Sequence, residues 1–113
     1  MFGRLAVAAA FAFGLSFTGA GAQEGNVSVD GVYLTDSDGY NYGVNWYVSS
    51  TVNNAVCVVP YVIVAENVNG QVTEGPLLLQ PNEKNVNIGQ YISADQSQPW
   101  RSNVGAKWKE GDC

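Results

Sequence analysis

The chain has 113 residues, 46% of them hydrophobic, with two cysteines, no histidine and a formal net charge of −5. Lacking histidine, it cannot build a Ser-His-Asp or Cys-His nucleophile, and most zinc sites are closed to it. An acidic balance without a basic stripe excludes a nucleic-acid-binding surface, because phosphate backbones are repelled.

At the N-terminus, Arg4 precedes an apolar run from Leu5 to Leu15, and Ala20-x-Ala22 stands before the polar Gln23-Glu24. A single positive charge, a short apolar core and small residues at that spacing predict a secretory signal peptide over residues 1–22, cut after Ala22. Residues 23–113 then form one small domain with no membrane span, exported to the periplasm or secreted. This part holds four basic and ten acidic residues, a net charge of −6.

From Asn26 to Thr35, valines and Tyr33 predict a first strand, with Asp30-Gly31 as a turn or bulge midway. Asp36-Ser-Asp-Gly39 reads as a tight turn. Tyr40, Tyr42, Val44, Trp46 and Val48 then occupy every second place among polar residues, the pattern of a half-buried antiparallel strand. Tyr47 alone breaks its polar side. Asn53-Asn54 is the next predicted hairpin turn, since asparagine tolerates positive φ.

Ala55–Ala65 is the most apolar run of residues 23–113, rich in β-branched residues and apolar at both alternating positions. That predicts a strand covered on both faces. Pro60, at its middle, cannot donate a ladder hydrogen bond, so the strand is an edge there or bulges. Asn69-Gly70 predicts a hairpin, with Gln71–Leu79 returning and interrupted by Gly75-Pro76. After a corner at Pro81-Asn82, Val86, Ile88 and Ile92 mark another strand, and Ser93–Pro99 is a loop. The last strand sets Trp100, Val104, Ala106 and Trp108 on one face and Arg101, Asn103, Lys107 and Lys109 on the other.

These elements predict an all-β fold, a small antiparallel β-sandwich of six or seven strands. Cys57 and Cys113 are expected to form one disulfide in an oxidising compartment, pinning the chain's end to the core strand. Val48–Tyr91 resembles immunoglobulin-like and fibronectin type III-like modules, and Leu79-Gln-Pro81-Asn-Glu83 resembles their "Leu-x-Pro-Gly-Glu" corner. The resemblance implies an immunoglobulin-like sandwich. Asn85 stands near where such corners place a tyrosine, and one cysteine is terminal instead of on an opposing strand.

No catalytic motif is present and no cofactor is implied. Asp30, Asp36, Asp38, Glu66, Glu74, Glu83 and Asp95 are the carboxylates that a small hydrolase would have to draw on. Asp36, Asp38 and Asn41 resemble the start of a calcium loop, but the glycine comes early and Tyr47 stands where a bidentate glutamate belongs. The expected function is non-enzymatic binding of another exported protein, in the manner of an inhibitor, an adhesion accessory or an anti-aggregation chaperone. The expected surface draws on Tyr40, Tyr47, Arg101, Lys107 and Lys109. The alternative is a carbohydrate-binding module using exposed tyrosine or tryptophan.

Overall fold

A computed structural model describes residues 25–113; the predicted signal peptide, residues 1–22, lies outside them. Seven strands follow in chain order: β1 (Val27–Thr35), β2 (Asn41–Ser50), β3 (Val56–Glu66), β4 (Val68–Val72), β5 (Leu77–Leu79), β6 (Val86–Ser93) and β7 (Arg101–Glu110). They form two antiparallel sheets, one ordered β1-β2-β6-β4 and the other β5-β3-β7. Among the described residues no helix is long and apolar enough to cross a membrane.

The core lies between the sheets and is built by alternation. Val27 and Val29 of β1, Val44, Trp46 and Val48 of β2, Val56 and Val58 of β3, and Val104 and Ala106 of β7 are all buried. Two indoles join the layers. Trp46 is fully buried, and its Nε1–H donates to the hydroxyl of Ser102 on β7 at 3.0 Å. Trp100, just before β7, donates from Nε1 to the carbonyl of Asn41 on β2 at 3.0 Å and meets Tyr33 edge-on. Each bond supplies a buried N–H with an acceptor, which an apolar core alone could not do.

Several expected turns are corrected. Only β1 and β2 are both consecutive and paired; each later connection passes from one sheet to the other. Asn53-Asn54 is therefore a crossing between sheets instead of a hairpin. Asn69-Gly70 lies inside β4, where Gly70 has a φ of 123°, and the chain turns earlier, at Asn67 with a φ of 58°. β4 then pairs with β6, and Leu77–Leu79 alone returns to β3.

Asp30-Gly31 does not break β1. Both residues stay in register with Tyr47 and Trp46, and the shift comes at Leu34/Thr35. A Cβ on Gly31 would press on the Trp46 ring and on Val44, so the glycine makes room for the indole.

The apolar run is the central strand of its sheet, yet both alternating positions are buried only over Val56–Val58, and Ile63 and Ala65 are exposed. At its edges, β3 pairs with β7 from Val56 to Glu66 but with β5 only over Val56–Val58. Pro60 thus falls where β3 has lost its second neighbour, as a residue without an N–H requires. The irregularity in register comes between Val62 and Val64, leaving Ile63 51% exposed.

The corner after β5 is a closed unit. Gln80 N–H donates to the Glu83 carboxylate at 2.7 Å, and Asn82 sits at a φ of 58°, which asparagine adopts more readily than most residues. It docks on the β2–β3 crossing: Ser50 N–H donates to the Glu83 carbonyl at 2.7 Å, and Asn82 N–H to the Val52 carbonyl at 3.0 Å.

Candidate interaction surface

β7 ends the three-stranded sheet, and among the described residues no strand is hydrogen-bonded to its outer side. Its ten residues are regular, because the irregularity in the β3–β7 ladder is on β3. Alternation turns Ser102, Val104, Ala106 and Trp108 inward and Arg101, Asn103, Gly105, Lys107 and Lys109 outward. Arg101, Lys107 and Lys109 are three of the four basic residues of positions 23–113. All three are exposed.

On the same face, β3 runs an apolar stripe beside the cations. Cys57 faces Lys109, Val59 faces Lys107 and Tyr61 faces Gly105. The Lys107 ammonium lies 6.0 Å from the centre of the Tyr61 ring, at the outer limit of a cation–π contact. Gly105 is what lets Tyr61 lie down, since a Cβ there would meet the ring. Cys57, Val59, Lys107, Trp108 and Lys109 line a shallow apolar depression of about 210 Å³. Two buried polar atoms on β7, Asn103 Oδ1 and Trp108 Nε1, have no hydrogen-bond partner among the described residues.

The Cys57–Cys113 disulfide closes one end of this face, with the two Cα atoms 4.9 Å apart. Gly111 N–H donates to the Ala55 carbonyl at 2.9 Å, so the tail is folded against the start of β3. At the other end, Arg101 reaches the Glu66 carboxylate through Nε and Nη2, both at 3.1 Å. The guanidinium holds the Glu66 carboxyl below the usual carboxylate range.

Tyr47 is separate from the cations. It is half-buried on the outer face of the four-stranded sheet, between Asp30 of β1 and Asn87 of β6. Tyr40 closes the β1–β2 turn. The structure thus brings Arg101, Lys107 and Lys109 together and places Tyr40 and Tyr47 elsewhere.

The same turn uses side-chain oxygens of two of the three residues that resemble a calcium loop, Asp36 and Asn41. Asp36 Oδ1 accepts from the N–H groups of Asp38 at 2.8 Å and Tyr40 at 3.0 Å, and Asn41 Oδ1 accepts from the Thr35 hydroxyl at 2.8 Å. Among the described residues no three acidic, histidine or cysteine side chains are grouped to hold a metal. The remaining carboxylates are dispersed: Glu74 lies between β4 and β5, Glu83 closes its corner, and Asp95 is held below its usual pKa by the hydroxyl and N–H of Ser97.

Sequence reasoning found the cations of β7 by alternation but missed Ser102, an inward polar residue on the same strand. Its signal was present: it falls between Trp100 and Val104 on the apolar face. No protein-family model, curated protein or solved structure matches the chain.

Proposed function

We propose that this chain is an exported, non-enzymatic sandwich of immunoglobulin-like type that acts by binding another protein along β7, through addition of an extended acidic segment to that edge. One observation carries the reading: a long, regular edge strand, with no strand hydrogen-bonded to its outer side among the described residues, holds most of the cations of an otherwise acidic domain. An edge offers N–H and C=O groups at every second residue, so an extended chain gains main-chain bonds without a preformed cleft. Carboxylates on the incoming strand would face Arg101, Lys107 and Lys109, and its apolar side chains would meet Val59 and the lysine stems.

Self-pairing is disfavoured by the same charges. An antiparallel second copy in the fully overlapped register, centred on Gly105, sets Arg101 against Lys109 and Asn103 against Lys107, and like charges directly opposite are destabilising. The partner is therefore a different, acidic strand. Inhibition, adhesion and suppression of aggregation are all served by such capture.

Fluorescence anisotropy with an extended peptide alternating valine and glutamate, beside a valine–lysine control, tests this. The acidic peptide is expected to bind, to weaken as salt is added, and to lose binding in the Lys107→Glu, Lys109→Glu double variant. Alternate amides of β7 should gain protection from hydrogen exchange on binding. Equal binding of the lysine peptide, or protection confined to another strand, would sink the proposal.

A further inference from the structure

The outer face of the four-stranded sheet has the opposite chemistry. Two rows cross it in register, Val32–Asn45–Gln90–Gln71 and Asp30–Tyr47–Asn87. Strand alternation turns all of these side chains away from the core. Apart from Asp30 at one end, neither row carries a charge. The side chains of Asn45, Gln71 and Gln90 make no hydrogen bond within the described residues, so their donors and acceptors are left for solvent or a ligand.

Between the two rows β6 carries one extra residue. Trp46 faces Gly89 and Tyr47 faces Asn87, which leaves Ile88 without an opposite number. Ile88 is buried, and its carbonyl accepts from Thr73 N–H at 2.7 Å. The bulge opens a depression of about 470 Å³ lined by Gln71, Val72, Thr73, Asn87, Ile88 and Gly89. Gly89, at a φ of 153°, lets β4 and β6 approach this closely, because a Cβ there would collide with the Gln71 carbonyl and Val72. Asn87 is held by a bond from its Nδ2 to the Trp46 carbonyl at 3.3 Å, and its Oδ1 remains as an acceptor.

A ligand for this place must offer many hydroxyl-type donors and acceptors and no charge. An anion or cation would find no counter-ion among the lining residues, and an apolar ligand would strand the amides without partners. A sugar ring meets both conditions. Its hydroxyls both donate and accept, which suits carboxamides, each with two N–H donors and one oxygen. Tyr47, across β6 from the depression, offers a ring on which the C–H face of the next sugar can rest. The volume lies within the range of about 300–1,000 Å³ common to small-ligand sites. We propose that this depression binds a neutral saccharide, with Gln71, Thr73 and Asn87 taking the hydroxyls and Tyr47 extending the site along β2.

The site lies on the sheet opposite β7, so it and the protein-binding reading stand or fall separately. The test is nuclear magnetic resonance of the ¹⁵N-labelled protein with cellotetraose, chitotetraose and maltotetraose, each at about 10 mM. At least one should shift the side-chain amide signals of Gln71, Asn87 and Gln90 with a dissociation constant on the order of millimolar. Gln71→Leu and Tyr47→Ala should each weaken that binding about tenfold. Gln71→Leu, at an exposed position, is expected to leave the melting temperature unchanged, and it decides the matter where Tyr47→Ala fails to fold. The β7 double charge reversal should bind the saccharide as the unaltered protein does. No shift with any of the three, or shifts that survive Gln71→Leu undiminished, would overturn the proposal.

Discussion

In the four-stranded sheet β2 and β6 each have a neighbour on both sides, whereas in the three-stranded sheet only β3 does, and only over Val56–Val58. The disulfide sits in the sheet with less pairing, and at the end where β5 already supplies a third strand. The far end of β3, beyond Pro60, is held by β7 on one side, by the packing of Val62 on the core and by the exposed Glu66–Arg101 pair. Hydrogen bonds between neighbours order one sheet, and covalent closure orders half of the other. The outer faces follow the same division, with amides on the well-paired sheet and cations on the open edge.

The sharpest way to break this contrast is to remove the staple. The bridge spans 56 residues of sequence, and the loop-entropy account gives it about 4 kcal/mol, a large part of a small domain's stability. Cys57→Ser is expected to lower the denaturation midpoint accordingly. Amide exchange should show β5 and the Lys107–Glu110 end of β7 opening before β2 and β6. Uniform loss of protection in both sheets would mean that the sheets do not differ in the way described.

A smaller effect tests the joint between them. Ser102→Ala removes the acceptor of a buried indole N–H, and an unsatisfied buried donor costs about 1–3 kcal/mol. Because Trp46 belongs to one sheet and Ser102 to the other, the loss should weaken both together, in contrast to the one-sided effect of Cys57→Ser. Equilibrium urea unfolding gives the magnitude, and exchange rates on β2 and β7 give the symmetry.

Strand periodicity made the fold class and the disulfide legible, because alternating Val and Trp positions declare which face is buried and two cysteines leave one pairing. Which strand neighbours which was not legible. Local turn signals such as Asn53-Asn54 and Asn69-Gly70 report a backbone that can reverse, and a crossing between sheets needs the same residues as a hairpin. The cations of β7 could be grouped from sequence because they share one strand. The amide rows could not, since Asn45, Gln90 and Gln71 lie on three strands whose order only the fold supplies.

The mildest perturbation is alkaline pH, and it acts on the other sheet. Burial raises the pKa of Tyr33 on β1 and, with the nearby Glu74 carboxylate as a second cause, that of Tyr91 on β6. A phenol that holds its proton more tightly in the folded chain contributes stability that is fully present below the unfolded value of about 10 and is lost as pH rises through the higher folded value. Raising the pH past about 10 should therefore loosen the four-stranded sheet first, with its amides losing protection before those of β3. Tyr91→Phe should remove part of this dependence without altering stability at neutral pH, because the ring stays and only the ionisable hydroxyl goes. A pH profile identical in the Tyr33→Phe, Tyr91→Phe double variant and the unaltered protein would assign the alkaline loss to groups outside that sheet, and the contrast between the sheets would then rest on the disulfide and the pairing alone.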